Sequence, residues 1–288
     1  MAKNNKPKCV MVLTEGPSDR AALNDFLTEM YSLIDEKIEV FFPVMTEAAI
    51  EADGSIELNY NGDITSRNGI VPDKILPMLL KLFIHPELEK HPGYKYPGEI
   101  HEVIHIVDID GAYLDDDRII TAKEDDDRHL PYYDDENNTI VARDTEDIIE
   151  RNERKRNNLK KLVETKRLRI TIAKDRNETK EKPYKVFFFS SNLDHVLFGK
   201  ANNEKYYKVS DARSFGSSFF DEPLKMARYF IDHPAASTQG NYHDSWQELM
   251  DDTESLKPAT NLNILVKDLL KRAKISVEDL PENDIKPY

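Results

Sequence analysis

The sequence predicts an α/β fold, an open sheet of mostly parallel strands flanked by helices. Three short runs of apolar, β-branched or aromatic residues carry this prediction, at residues 9–13, 104–109 and 185–190. A run that is apolar on both faces is typical of a strand buried within a parallel sheet. Residues 22–34 follow the first run with apolar side chains at helical spacing. Alternation of strand and helix favours this fold class.

The first strand is followed by two acids in a strand-to-helix turn. A Gly-Pro pair ends the strand directly after Glu15, and Ser18 is a suitable N-cap for the helix that follows. Glu15 is therefore expected at the carboxyl end of the strand, and Asp19 in the first helical turn, where the helix dipole favours an acid. The simpler alternatives are a solvated turn residue for Glu15 and dipole compensation alone for Asp19.

The central apolar run ends abruptly in Asp108, Ile109, Asp110 and Gly111. Because side chains alternate along a strand, Asp108 and Asp110 are expected on the same side of the sheet. Ligands of open α/β sheets bind at the carboxyl ends of the strands. Two adjacent carboxylates need a counter-charge to stay ionised together, and a hard cation such as Mg²⁺ supplies one. The alternative is a strand that runs out into an acidic, solvated loop.

Length and charge limit the classes of function. The chain has 288 residues and a formal net charge of −14, which disfavours non-specific binding of nucleic acid by the whole surface. The charge is unevenly distributed, since acids crowd residues 108–136 and bases crowd residues 151–176. The basic run is predicted to contact nucleic-acid phosphates through Arg154, Lys155, Arg156, Lys160 and Lys161. The commoner explanation of such runs is two solvated surfaces.

Cysteine usage and hydropathy predict the compartment. The one cysteine, Cys9, excludes an internal disulfide and suits a reducing environment. The first residues lack the apolar core of a signal peptide, and no apolar run reaches membrane-spanning length. We therefore expect a cytoplasmic protein without membrane contact, and leave self-association into a homo-oligomer open.

One local string points to a different class of enzyme. His101-Glu-Val-Ile-His105 matches the H-E-x-x-H pattern of zinc peptidases, which requires a helix to bring both histidines to one metal. Here a Pro-Gly pair precedes the string and a β-branched run follows it. These neighbours predict a strand, so zinc metallopeptidase is the third-ranked hypothesis.

The acids at the ends of two predicted strands match a known family. Residues 15–19, Glu-Gly-Pro-Ser-Asp, resemble the E-G-x-x-D motif of TOPRIM domains, and residues 108–110 resemble their D-x-D motif. Residues 189–197 are similar to the S-N-P-x-F-E-x-W-L stretch of stand-alone OLD-like and RloB-like TOPRIM proteins. This third stretch departs from the pattern at the Pro, Phe and Trp, and Asp194 stands where the family has Glu.

The resemblance implies a metal-dependent nuclease that cleaves DNA or RNA with Mg²⁺ or Mn²⁺. Glu15, Asp108 and Asp110 would be catalytic metal ligands, and Asp19 would be a second-metal ligand or would orient metal-bound water. Additional candidates for the site are Asp194, Lys185 and Lys200. Proteins of this branch often act in bacterial or phage defence beside a separate ATPase, so such a partner is expected here.

The resemblance also divides the chain. Residues 1–215 would form the TOPRIM-like α/β domain, interrupted by an acidic and basic insertion at about 112–183. Residues 216–288 would form a helical C-terminal region packed on that domain. The main alternative function is a non-catalytic module of the same fold that binds a protein partner or mimics nucleic acid through its acidic surface.

Overall fold

The computed structural model describes residues 8–43, 47–50, 56–59, 63–91, 99–171, 179–253, 256–282 and 284–285. Its strands are β1 (Lys8–Leu13), β2 (Ile38–Phe41), β3 (Glu47–Ile50), β4 (Ile56–Asn59), β5 (Ile100–Asp108), β6 (Ile119–Thr121), β7 (Tyr132–Asp134), β8 (Thr139–Ala142), β9 (Arg167–Thr171) and β10 (Thr179–Phe189). Its α-helices are α1 (Pro17–Ile34), α2 (Pro72–Leu79), α3 (His85–Lys90), α4 (Thr145–Glu164), α5 (Leu193–Phe198), α6 (Lys205–Ser217), α7 (Pro223–Asp232), α8 (Tyr242–Asp251) and α9 (Leu262–Ala273).

A five-stranded sheet in the order β2-β1-β5-β10-β9 forms the centre of the fold. Strands β2, β1, β5 and β10 are parallel to their neighbours, and only β9 pairs antiparallel, with β10. The predicted class, a mixed α/β fold with a mostly parallel sheet flanked by helices, is confirmed. The parallel strands share one carboxyl edge, at which the acids of the sequence motifs emerge.

Two apolar layers cover the two faces of this sheet. Alternate residues of β1 separate between them, with Val10 and Val12 in one layer and Met11 and Leu13 in the other. Helices α1, α6, α7 and α9 complete the first layer, and α2, α4 and α8 contribute to the second. Because both faces are covered, the central strands carry the mostly apolar runs that the sequence pattern predicts.

The acidic segment after the central strand is a small folded unit. Strands β6, β8 and β7 form a three-stranded sheet, and their buried side chains make a separate apolar cluster with Leu114 and Leu256. The expected end of the insertion at residue 183 falls inside β10, which is one continuous strand, and β9 pairs with its first half. Residues 167–171 and 179–183 therefore extend the central sheet.

The C-terminal helices pack into the two apolar layers that cover the central sheet. Leu265 and Leu269 of α9 and Phe230 of α7 lie in the layer with α1, whereas Trp246 of α8 lies in the opposite layer. Trp246 also donates a hydrogen bond from its indole nitrogen to the carbonyl of Val186 in β10, at 3.1 Å. None of the helices that the structure describes is long and apolar enough to cross a membrane.

Candidate metal centre

Three carboxylates meet beside the carboxyl edge of the parallel sheet. Glu15 follows β1, Asp110 follows β5, and Asp63 precedes α2. One carboxylate oxygen from each lies within 4.8 Å of the other two, so the group could hold a metal ion. We call Glu15, Asp63 and Asp110 the carboxylate triad. Two of its members are expected from the sequence motifs, and the third is not.

Asp63 is the member that sequence reasoning misses. Its carboxylate accepts hydrogen bonds from the backbone nitrogens of Thr65, at 2.8 Å, and Ser66, at 3.2 Å, and from both hydroxyls. An Asp followed two and three residues later by hydroxyl residues is typical of a turn closed by the Asp side chain. That local signal identifies the turn, but the approach of the turn to the sheet edge depends on tertiary packing.

Lys155 of α4 supplies the counter-charge of the triad. Its Nζ atom lies 2.5 Å from Asp110, 3.1 Å from Asp63 and 3.7 Å from Glu15, and its side chain is completely buried. The sequence pattern predicts that Lys155 contacts phosphates together with the exposed bases of the run. This prediction is wrong for Lys155, because its side chain is buried. A buried ammonium needs paired charge, and the three carboxylates provide it.

Neighbouring arginines on α4 donate hydrogen bonds to the backbone of the loops around the triad. Arg151 donates to the backbone carbonyl of Asp110 at 2.9 Å, and Arg154 donates to that of Ser66 at 2.7 Å. Arg156 donates to the carbonyl of Ala112, also at 2.9 Å. The basic run is therefore partly structural, because it orders the segments that present the carboxylates. Phosphate binding by these arginines stays a prediction.

The remaining predicted bases of α4 face outward. Lys160 is exposed and Lys161 is half-buried, five and six residues beyond Lys155. A helix presents its residues on different faces according to their spacing, so one basic run has both an interior and an exterior side. The exposed side of the run is the part that remains available to a polyanion.

Asp108 belongs to a second acidic group, next to the triad. Its carboxylate accepts a hydrogen bond from the backbone nitrogen of Leu193 at 3.1 Å. Burial, the nearby Asp19 and then Asp110 raise the pKa of Asp108 well above its usual value. Burial, with Asp194 as a further contribution, raises the pKa of Asp19 to about 7. These carboxyls resist simultaneous ionisation because they share a buried, acidic environment.

The partners of Asp19 and Asp194 are local. The Asp19 carboxylate accepts a hydrogen bond from the backbone nitrogen of Gly16 at 2.8 Å, at the start of α1. The Asp194 carboxylate accepts one from Asn203 at 2.9 Å and lies 3.6 Å from the ammonium of Lys208. Asp19 therefore has a capping role as well as a place beside Asp108.

The D-x-D motif does not behave as a continuous strand. Strand β5 ends at Asp108, and Asp110 has a positive φ of 54° in the turn that follows. Strict alternation of side chains therefore stops before Asp110, and the two carboxylates have different partners. Within the triad, Asp63 takes the place that the sequence assigns to Asp108.

Burial and charge act in opposite directions within the triad. Burial, followed by the charge of Asp63, raises the pKa of Glu15 well above its usual range, and Lys155 only partly offsets this. Burial also disfavours the ionised form of Asp63, but Lys155 and the hydroxyls of Ser66 and Thr65 outweigh it, so the pKa of Asp63 is lowered. The burial of Lys155 is likewise outweighed by Asp110, Asp63 and Glu15, which raise its pKa.

Tyr133 brings the acidic segment into the site. The hydroxyl of this β7 residue donates a hydrogen bond to Oδ1 of Asp110 at 3.2 Å. Burial, followed by the charge of Asp110, raises the pKa of Tyr133 well above its ordinary value. The hydroxyl therefore remains a hydrogen-bond donor to the carboxylate.

The two predicted lysines pair with carboxylates other than those of the triad. Lys185 stands beside Ile104 in the sheet, four residues before the level of Asp108, and its ammonium lies 3.7 Å from Asp268 of α9. Four strand residues span about 13 Å, so Lys185 is remote from the carboxyl edge. The ammonium of Lys200 lies 2.9 Å from the carboxylate of Asp211.

The two histidines of the H-E-x-x-H string lie on β5, as the surrounding sequence predicts. Their separation of four strand residues spans about 13 Å, too far for both to bind one zinc ion. His101 contacts the guanidinium of Arg272 at 3.1 Å, and His105 shares a hydrogen bond with the hydroxyl of Tyr184 at 2.9 Å. The helical geometry of a zinc peptidase is absent from this part of the chain.

The donor set of the triad suits a hard cation. Its ligand atoms are carboxylate oxygens, which Mg²⁺, Mn²⁺ and Ca²⁺ prefer over soft thiolate ligands. No protein-family model, curated protein or solved structure matches this chain. The residues of the site are therefore the basis for the function of this chain.

Proposed function

We propose that this chain is a metal-dependent nuclease that hydrolyses phosphodiester bonds of DNA or RNA. The observation that supports it most is the meeting of Glu15, Asp63 and Asp110 beside the carboxyl edge of a parallel sheet. Asp108 and Asp19 form an adjacent acidic group. Glu15, Asp108 and Asp110 at strand ends, with Asp19 in the first turn of α1, agree with the TOPRIM resemblance.

The residues of the triad fit Mg²⁺ or Mn²⁺. All of their donor atoms are oxygens, and among the described residues Oε1 of Glu15 is buried without a hydrogen-bond partner. A buried carboxylate oxygen without a donor is costly unless something else satisfies it. Glu15, Asp63 and Asp110 would hold the cation, with Asp108 and Asp19 beside it. A divalent metal bound there polarises a phosphate and lowers the pKa of an attacking water.

The protein's own groups would orient the ligands and the substrate. Tyr133 holds one oxygen of Asp110, and Arg151 holds the backbone of the same residue. The exposed Lys160 and the half-buried Lys161 would neutralise phosphates further along the strand. By the same resemblance, we propose a role as a bacterial or phage defence effector in the cytoplasm, beside an ATPase partner.

Cleavage is tested with three substrates and three metal conditions. Supercoiled plasmid, single-stranded DNA and tRNA are each incubated with Mg²⁺, Mn²⁺ or EDTA. We expect cleavage of at least one substrate that needs metal and falls by orders of magnitude in Asp110→Asn, because the metal carries the charge stabilisation. Asp117→Asn, an exposed acid on the same segment, is the matched control and should cleave normally. Cleavage that persists in EDTA or in Asp110→Asn would contradict the proposal.

One observation favours a second candidate, a non-catalytic binding module. Lys155 already compensates much of the triad's charge, so the acidic group has a structural counter-ion without metal. In that case the exposed acids Asp115, Asp116, Asp117, Glu124, Asp125 and Asp127 would serve as a face for a partner or as a nucleic-acid mimic. A wild-type protein whose melting temperature ignores Mg²⁺ and Mn²⁺, and which cuts no nucleic acid, would favour this candidate. A metal that binds only the native form stabilises it increasingly as the metal concentration exceeds Kd, so the melting temperature of a metal-binding protein would rise.

A further inference from the structure

The ammonium of Lys155 occupies the position where a cation bound by the triad would lie. Its Nζ atom is 2.5, 3.1 and 3.7 Å from oxygens of Asp110, Asp63 and Glu15, and those oxygens are themselves within 4.8 Å of one another. We propose that Lys155 is the resident cation of the triad and that a divalent metal binds there only by exchange with its ammonium.

Simple geometry makes the two occupants mutually exclusive. Oxygen ligands lie about 2.0–2.6 Å from Mg²⁺ or Ca²⁺, so a metal that bonds the three carboxylates must sit between them. That space holds the Nζ atom of Lys155, which is completely buried. A divalent cation placed beside the ammonium would also meet like-charge repulsion in a buried environment. Entry of metal therefore requires the lysine side chain to leave.

The fit of the ammonium is incomplete, which makes exchange feasible. Lys155 hydrogen-bonds Asp110 and Asp63, but its distance to Glu15 exceeds hydrogen-bond length. Oε1 of Glu15 is consequently buried without a donor among the described residues. A metal that bonds all three carboxylates would satisfy this oxygen as well. The unsatisfied oxygen is an observation independent of the clustering of acids.

The exchange needs movement of a side chain only. Helix α4 is anchored on both sides of Lys155, by Arg151 to the turn at Asp110 and by Asn158 to the carbonyls of Thr65 and Ile70. Lysine has a flexible four-carbon stem, so its ammonium can swing away while the helix stays in place. The inference uses the metal site of the proposed function but does not depend on cleavage, because metal affinity is measured without substrate.

The test compares Mn²⁺ affinities by isothermal titration calorimetry. Lys155→Met keeps the length of the side chain and removes the charge, and Lys160→Met makes the same change at an exposed position of α4. A lysine that must be displaced lowers the apparent affinity of the wild type, so Lys155→Met should bind Mn²⁺ at least about tenfold more tightly. Lys160→Met should bind like the wild type. Equal or weaker binding by Lys155→Met, or binding by neither protein, would overturn the exchange.

Chemical modification of lysines in the wild-type protein tests the exchange even if Lys155→Met does not fold. Acetic anhydride modifies accessible lysines, and mass spectrometry reports modification of Lys155 and Lys160 separately. In EDTA we expect Lys155 to be protected and Lys160 to react. Saturating Mn²⁺ should raise modification of Lys155 several-fold and leave Lys160 unchanged. Protection of Lys155 that survives bound Mn²⁺ would show that the ammonium stays in the triad. If the protein binds Mn²⁺ by this exchange but cleaves no nucleic acid, the proposed nuclease function is refuted and the exchange at Lys155 is not.

Discussion

The ammonium of Lys155 lies 2.5 Å from Oδ2 of Asp110, although 45 residues separate them in the chain. The lysine belongs to a helix whose sequence has the composition of a solvated surface, and the aspartate to the turn after the central strand. Their contact ties α4 to the carboxyl edge of the sheet. It also makes the charge of the acidic site dependent on one residue.

Removal of this counter-charge should destabilise the metal-free protein. Loss of one partner of a buried ion pair leaves the other partner uncompensated and costs about 3–5 kcal/mol. We expect Lys155→Ala in EDTA to lose about 3 kcal/mol of unfolding free energy, measured by urea denaturation. Lys160→Ala, an exposed position on the same helix, should change stability by less than about 0.5 kcal/mol. Equal stability of the two variants would contradict the structural role of Lys155.

Gly111 is expected to be the most restrictive glycine at the site. It has a φ of 65°, and an added Cβ would lie 3.0 Å from Ile140 and 3.1 Å from Leu256. Gly69 also has a positive φ, of 76°, but a Cβ there would meet nothing within 4 Å. Both Gly→Ala changes carry the backbone penalty of about 1–2 kcal/mol. Gly111→Ala should lose about 1 kcal/mol more in urea unfolding, because overpacking adds to the strain. Equal losses of unfolding free energy in the two variants would show that the side chains of Ile140 and Leu256 move aside without cost.

His105 should make stability sensitive to mild acid. Burial lowers the pKa of His105 to about 3, whereas an unfolded histidine titrates near 6.5. Below about pH 6.5 the unfolded state therefore binds more protons than the native state, so stability falls as pH falls. This residue should account for a loss of about 2 kcal/mol between pH 7.5 and pH 5.

Replacement by glutamine tests the contribution of His105. Urea unfolding of His105→Gln, which can still hydrogen-bond Tyr184, should show a pH-dependent loss smaller than that of the wild type by about 2 kcal/mol. His243→Gln is the control, since its side chain is 85% exposed. If both variants follow the wild-type pH profile, His105 is not the group responsible.

The outward side of α4 should govern nucleic-acid affinity. Reversal of Lys160 and Lys161 to Glu replaces two cations, and we expect weaker binding and a shallower dependence of log K on log salt, by about 1.4 units on a single strand. Fluorescence anisotropy with a labelled single strand at several salt concentrations gives both quantities. Lys271 and Lys274 changed to Glu make the same charge change at the exposed end of α9. If this control pair has the same effect, long-range charge rather than α4 determines binding.

The sequence is most informative where the signal is local. Apolar runs predict the central strands because a strand covered on both faces has no polar side. The positions of Glu15 and Asp110 directly after two such strands bring them to one edge of a parallel sheet, and this is where the structure has them. The strand context of His101 and His105 likewise argues against the zinc-peptidase helix, as the extended β5 confirms.

Contacts between distant segments lie beyond such patterns. Asp63 enters the triad because a turn closed by its own side chain is held against α4 by Arg154 and Asn158. The local residues predict the turn but not its neighbour. Asp108 lies outside the triad. Strand β5 ends at this residue and Asp110 adopts a positive φ, so the alternation of side chains stops between them.

The amino-acid sequence by itself determines the order of strands and helices, their apolar faces and the acids at the strand ends, because short-range periodicity encodes burial. The tertiary structure alone decides which charges are neutralised in the interior. In the run of bases on α4, Lys155 and Lys160 have the same local chemistry, yet one is enclosed by three carboxylates and the other is exposed. Charge pairing in a low-dielectric interior depends on distances across the fold, which spacing along the chain does not specify.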